Sequence, residues 1–381
     1  MKRFLTLMII SSLTAGLLLT GCNQVSQQQQ NNQTAVQEEQ PPQAEAGRED
    51  VLGAEKRIVM GFYTDAEGDT PGSKESMMKN INTLDEIAFF WYSFNTSGKI
   101  VTTGKVDMSV KAAAQKNGAK AYALIHNMSQ GGFDANLAHK VLADPNVRSN
   151  FVNNLVNMTL KDGWDGISID IEKTPPADRN NFSAFVSELH KALKAKDKIL
   201  NISIPAKFVD YPSDLWSGAY DYAAIGKAAD QIILMTYDEH GTGTTAGPIA
   251  SQAWVNRVIE FAVSKIPKEK IVMGLPVYSF DWGTNKPTLP DYLSYAQSVE
   301  RAKKNGVDIL EDGNAKVQQY SYTAKGVRHE VYLESAKSLT PKLEHAREHN
   351  LHGVAIWRLG MEDPNIWSGI AKYYGTNKSK K

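Results

Sequence analysis

The sequence predicts an α/β fold: a (β/α)8 TIM barrel with a small α+β insertion between its seventh and eighth strands. Three observations carry this. Eight short apolar runs rich in Ile, Val, Phe and Tyr recur along the chain, each bounded by Gly, Pro, Asn or Asp, as buried strands are. Amphipathic helical segments separate several of them, the alternation that builds a parallel sheet. Carboxylates, a tyrosine and a tryptophan cluster at the ends of individual runs, where barrels carry their chemistry. The rest of the composition is permissive. Lys plus Arg and Asp plus Glu both number 42, so no basic surplus exists for nucleic acid. A single cysteine excludes an internal disulfide and a Cys-based metal site.

In chain order, Lys2 and Arg3 precede an apolar run over 4–19 that ends in Leu19, Thr20, Gly21 and Cys22. A charged start, an apolar stretch and small residues before a cut site describe a secretory leader. The lone cysteine directly after them resembles a bacterial lipobox. Residues 1–22 are therefore expected to be a lipoprotein signal, with Cys22 the lipid attachment point and the mature protein extracytoplasmic, anchored to the outer face of the cell membrane. Residues 23–55 are rich in Gln, Asn, Glu, Pro and Ala and lack aromatics. Such a stretch buries too little surface to offset chain entropy, so a disordered Gln-rich tether is expected.

The folded region is expected over 56–376. Its apolar runs are 58–63, 87–94, 121–126, 166–171, 200–205, 231–237, 271–278 and 353–359. Helical spacing is clearest over 180–194, where Phe182, Phe185, Leu189 and Leu193 share a face, and over 251–265, with Trp254, Val258 and Phe261. The excess over a minimal barrel lies at about 283–339, where 317–322 and 327–332 read as an added hairpin. A doubly wound open sheet remains the alternative, because strand order is not written in one sequence.

The fourth run supplies the main chemical signal: Asp165-Gly166-Ile167-Ser168-Ile169-Asp170-Ile171-Glu172. Strand alternation puts Ser168, Asp170 and Glu172 on one face and the isoleucines on the other. Residues two apart lie about 7 Å from each other along a strand. In a partly desolvated mouth the two carboxyls do not both ionise cheaply, so one keeps a proton, as a general acid must. A solvated strand end or a Ca²⁺ or Mg²⁺ site are the competing readings of these acids. Residues 241–247 lack the spacing of a nucleotide loop and read as a rim loop.

Residues 165–172 resemble the D-G-x-D-x-D-x-E signature of glycoside hydrolase family 18, the chitinase-like barrels, with Ser168 in place of the middle aspartate. Met235-Thr236-Tyr237-Asp238, Gly274-Leu275-Pro276-Val277-Tyr278 and the tryptophan strand ending at Trp357 are similar to three further family elements, in the family's order. Tyr237-Asp238-Glu239-His240-Gly241, Phe280-Asp281-Trp282 and Trp357-Arg358-Leu359-Gly360 resemble the spore-associated branch. That branch includes cortical-fragment-lytic N-acetylglucosaminidases and germination proteins, and often lacks the middle aspartate. No LysM wall-binding repeat is recognisable.

The resemblance implies substrate-assisted cleavage of β-1,4 bonds next to N-acetylglucosamine, in peptidoglycan or spore cortex ahead of chitin, with anomeric configuration retained. It implies that Glu172 is acid and then base, that Asp170 receives the acetamido N–H, and that Tyr237 holds the acetamido oxygen. It implies a substrate-binding set of Trp357, Tyr278, Asp238, Met235, Asn127 and Trp282, with Trp357 as the sugar floor. No cofactor and no metal are implied, and a monomer is expected. Plain core roles compete for Trp357, Tyr278 and Tyr237, and a satisfied buried role for His126 and Asn127. The Ser168 hydroxyl is expected to hydrogen-bond Asp170 without buffering its charge. A non-catalytic glycan-binding lipoprotein on the same barrel is the alternative function.

Overall fold

The computed structural model describes residues 57–129, 132–285 and 289–375. The expected leader, Cys22 and the tether lie outside the described residues.

Eight parallel strands form the barrel: β1 (Ile58–Tyr63), β2 (Glu86–Phe94), β3 (Lys120–His126), β4 (Gly166–Asp170), β5 (Ile199–Pro205), β6 (Gln231–Met235), β7 (Ile271–Pro276) and β8 (Gly353–Trp357). Each pairs with its sequence neighbours, and the sheet closes because β1 pairs with both β8 (Ile58 opposite Gly353) and β2 (Met60 opposite Glu86). Closure removes the open-sheet alternative and leaves the parallel strands no free edge. Met60, Phe62, Tyr122, Leu124, Ile233 and Val272 fill one part of the interior. The other faces of the strands pack under the helices: Phe182, Phe185, Val186, Leu189 and Leu193 of the helix Arg179–Lys194 are buried, as their spacing predicts. Asp134, Asp144 and Asp221 start their helices by accepting backbone N–H bonds.

Two boundaries differ from the sequence reading. The run over 271–278 is two strands: β7 ends at Pro276, and Tyr278–Gly283 belongs to a separate five-stranded antiparallel sheet with Asp291–Ser294, Val327–Leu333, Val317–Ala324 and Leu310–Asp312. The insertion therefore begins at Tyr278 rather than at 283. It ends at Leu333, because Ala336–Glu348 is the barrel helix that packs on β7 and β8. Continuous apolar character hid the change of sheet. Within the insertion, the buried Asp281 receives the Tyr322 hydroxyl at 2.6 Å and His329 Nδ1 at 2.7 Å and pairs with Arg301, which ties its strands to the helix Tyr295–Asn305.

Candidate active site

On β4 the alternation holds. Ile167, Ile169 and Ile171 are fully buried under the helices, while Ser168 and Asp170 face the barrel interior. Asp165, the first acid of the motif, sits at the opposite end of the strand. There it accepts the Ala121 N–H and the Gln115 amide, both at 2.8 Å, and so serves the fold. Glu172 follows β4 at the C-terminal mouth and is partly exposed.

The backbone of Glu172 is held from β3. Asn127 Oδ1 accepts the Glu172 N–H at 2.9 Å, and Asn127 Nδ2 donates to the Glu172 carbonyl at 2.8 Å and to that of Asp134 at 3.0 Å. Asn127 is fully buried, and its amide is spent on backbone. It therefore stands behind Glu172 and not on the cleft wall where the substrate-binding set placed it. From the other side, the Tyr220 hydroxyl donates to the Ile171 carbonyl at 2.8 Å. The segment carrying the acid is thus fixed by hydrogen bonds on both flanks.

Burial pushes the Asp170 carboxyl up to about 7. Glu172 is pushed well above the usual carboxylate range, by desolvation first and then by Asp170 and Asp238, with Lys173 opposing. The pair accordingly keeps a proton at neutral pH, which is the condition for general-acid chemistry. The expected Ser168–Asp170 hydrogen bond is not formed. Among the described residues Ser168 Oγ and Asp170 Oδ1 are both buried without a partner, because side chains two apart on one strand face are too far separated for a short hydroxyl to bridge.

Tyr237 follows β6, and its phenol is pushed well up by burial and then by Asp170, Glu172 and Asp238. It therefore stays protonated beside the carboxyl pair. Its ring explains a glycine: a Cβ on Gly274 would lie 2.8 Å from Tyr237 Cε1 and 2.7 Å from the Leu234 carbonyl oxygen. Asp238, at a left-handed φ of 60°, accepts a hydrogen bond from the buried Tyr278 hydroxyl. Tyr278 in turn packs at 4.9 Å on Tyr292 of the insertion. Tyr278 is thus a support behind Asp238. Trp282 is buried farther along the same strand, between Phe280 and Tyr332.

Trp357 at the end of β8 is half-buried, with its ring edge-on to Phe62 at 5.2 Å and Phe90 at 5.8 Å. Phe90 stacks on His126 at 4.1 Å. The Met128 N–H bonds His126 Nδ1, so Nε2 carries the proton toward Thr103 Oγ1. Burial lowers this imidazole to about 4, so it remains neutral and serves as support for the aromatic floor.

Beside Glu172 lies a pocket of about 190 Å³, walled by Pro205 at the end of β5, Ala206 and Trp216 beyond it, Met235, Tyr237, Asp238 and Glu239 at the end of β6, and Trp254. Glu172, Met235, Tyr237 and Asp238 thus meet there. Trp216 and Glu239 were not among the expected site residues, and Trp254 was read as helix-face core. Trp216 sits in an aperiodic loop, and only the spacing of Glu239 from Tyr237 pointed toward the mouth. Among the described residues no group of three or more His, Cys, Asp or Glu side chains is placed to hold a metal ion.

Breaking a bond between sugars asks for a proton donor at the leaving oxygen and for flat apolar surface under the rings, and both meet at this mouth. Fold and site together define a barrel glycosidase. Residues 58–362 match the family described as Glycosyl hydrolases family 18, and the chain belongs to that family. It is 31% identical over 318 residues to the uncharacterized glycosylase YvbX of Bacillus subtilis (strain 168), covering 83% of this chain and 91% of that one. To the cortical fragment-lytic enzyme of the same organism it is 29% identical, covering 67% of this chain and 60% of that one. The crystal structure of a chitinase from Chromobacterium violaceum ATCC 12472 superposes with a TM-score of 0.77 at 27% identity, covering 84% of this chain and 98% of that one.

Proposed function

We propose that the protein is a retaining glycosidase that cleaves β-1,4 bonds beside N-acetylglucosamine in peptidoglycan, spore cortex above all, by substrate-assisted catalysis. The observation that carries this is the desolvated Asp170–Glu172 pair at the mouth, with Tyr237 protonated beside it. The 2-acetamido oxygen attacks the anomeric carbon while Glu172 protonates the leaving oxygen. Asp170 accepts the acetamido N–H and offsets the positive charge that grows on that group. Tyr237 donates its hydroxyl to the acetamido oxygen and keeps it in line. Glu172, now a carboxylate, takes a proton from water, which opens the cyclic intermediate with the original configuration restored. Trp357 floors the reacting sugar. The likeness to cortical fragment-lytic enzymes supports cortex over chitin as the substrate.

The leader-like start and Cys22 support a lipid anchor on the outer face of the cell membrane, with residues 23–55 as the tether. Replacement of Cys22 by Ser should release the protein from the membrane fraction. The function is tested by mass spectrometry of products from purified cortex, vegetative wall and chitin oligomers. Glu172→Gln should lower turnover about 10²–10⁴-fold while oligosaccharide binding persists. Equal, slow hydrolysis by both forms would overturn the reading.

A further inference from the structure

The barrel strands start at the floor, the end opposite the active-site mouth, and the helices between them run back down to it. The exposed charge of the floor is mostly cationic. Lys116, Lys161 and Lys194 are the last residues of the helices Met108–Lys116, Pro145–Lys161 and Arg179–Lys194. Lys196, Lys265 and Lys268 stand in the connections that lead to β5 and β7. All six are exposed, and among the described residues none of them makes an ion pair. A helix dipole attracts a cation to its last turn, and its pull fades beyond that turn. It accounts for the first three lysines, whereas Lys265 and Lys268 lie past the end of the helix Gln252–Val263.

Most acids of the floor are turned inward by a repeated device. Asp85, Asp165 and Asp230 each stand just before a strand and accept a backbone N–H of the preceding one: Val59 at 3.0 Å, Ala121 at 2.8 Å and Leu200 at 2.9 Å. Glu86 is buried and accepts the Gln231 amide at 3.0 Å. Asp197, Glu269 and Glu348 are exposed at the floor and offset the lysines in part. The chain as a whole has a formal charge of zero, so a surplus of cations at one end is matched by acids elsewhere. Asp107, Asp134 and Asp221 start helices at the mouth, and Glu172 and Asp238 lie in it. Charge is thus polarised along the barrel axis.

The chain enters the barrel on this same face. The Arg57 guanidinium donates to Asn350 Oδ1 at 2.8 Å, and the Ile58 N–H donates to the His352 carbonyl at 3.0 Å, both in the connection before β8. Residues 23–56 separate Arg57 from Cys22, and a flexible coil of that length spans about 30 Å. Such a tether keeps the floor within reach of a bilayer without fixing which end of the barrel meets it. It also holds the domain at an effective concentration in the millimolar range, where weak attraction suffices. Anionic headgroups attract cations within a Debye length of about 8 Å, and each lysine brought that close strengthens binding about fivefold.

We propose that the basic barrel floor docks on the anionic headgroups of the bilayer that holds Cys22, which turns the active-site mouth away from the membrane and toward the wall glycan. The docking rests on the lipid anchor of the proposed function and adds what a flexible anchor lacks, a fixed orientation.

The test uses the full lipoprotein, reconstituted through Cys22 into phosphatidylcholine vesicles with or without about one-third phosphatidylglycerol, in about 0.1 M salt. Cys22 is the one cysteine of the chain and its sulfur carries the lipid, so a dye couples to a cysteine introduced by Asn82→Cys at the floor or Ser213→Cys at the mouth, both exposed. In anionic vesicles, energy transfer to an acceptor lipid should be about threefold or more stronger from position 82 than from position 213. The preference should shrink to about 1.5-fold or less in neutral vesicles, and likewise in about 1 M salt, where the Debye length is about 3 Å. Lys194→Glu, Lys196→Glu, Lys265→Glu and Lys268→Glu together should abolish it and leave hydrolysis of a soluble oligosaccharide unchanged. Equal transfer in anionic and neutral vesicles overturns the proposal and leaves the anchor standing. A floor that stays clear of anionic vesicles yet binds soluble poly(glycerol phosphate) belongs to a wall polyanion and also overturns it. A purified chain whose mass shows no lipid at Cys22 overturns anchor and docking together.

Discussion

Replacing Asn127 by Ala tests whether the backbone clamp sets the position of the acid. The substitution deletes three hydrogen bonds, of 2.8, 2.9 and 3.0 Å, and leaves the Glu172 N–H and two carbonyls without their partner in a buried setting. At about 1 kcal/mol each, the expected loss is about 3 kcal/mol. In a folded region of about 320 residues that lowers Tm by about 4–5 °C. The kinetic effect is the more discriminating one. A shift of about 1 Å in an acid costs on the order of 10²-fold in rate, so kcat should fall about 10²-fold while KM changes little. Melting curves and steady-state kinetics on a chromogenic N-acetylglucosaminide, read well below the variant's Tm, give both numbers. A variant that melts earlier yet turns over within twofold of the parent would show that Asn127 holds the fold and does not aim Glu172.

Other expectations follow from the same geometry. The folded state holds the Asp170 proton up to about 7, whereas an unfolded chain releases it near 4, so this group withdraws stability as pH rises between those values. Asp170→Asn should therefore raise Tm above that of the parent at pH 8 by an amount that vanishes toward pH 4, and parallel Tm–pH curves would contradict this. Ser168→Asp places a second carboxyl beside Asp170 and should move the limb of the pH–rate profile tied to Asp170 upward by about one unit, with activity retained. Superimposable profiles would refute it. Gly274→Ala drives a methyl into the Tyr237 ring and the Leu234 carbonyl. Its kcat on acetamido substrates should drop by about tenfold or more, on the scale by which mispositioned groups lose rate; unchanged kcat would mean that Tyr237 does not position substrate.

The barrel was legible because its strands are buried on both faces and read as apolar runs, which is why seven of the eight runs match the strands to within two residues at their ends. The seventh run failed where burial and pairing part company: Tyr278 is as apolar in context as Leu275, yet it begins a different sheet. The Asp170–Glu172 pair was legible because alternation of period two is local. The roles of Asn127 and Tyr278 were not, since both act through contacts made only after folding, with the Glu172 backbone and with Asp238. Trp216 and Glu239 escaped notice for a related reason. A loop has no periodicity to mark which of its side chains turns inward; for Trp216 the direction comes from Arg179, Lys207 and Asp214, and for Glu239 from Ser251 and Ile249.

The central claim is that the substrate's own acetamido oxygen, aimed by Tyr237 and Asp170 and assisted by Glu172, displaces the leaving sugar. Proton NMR of the first product formed from an N-acetylglucosamine oligomer, recorded before mutarotation, tests this most directly. The β-anomer is predicted. An initial α-anomer would mean that water attacks the anomeric carbon in a single displacement, and the account would fail.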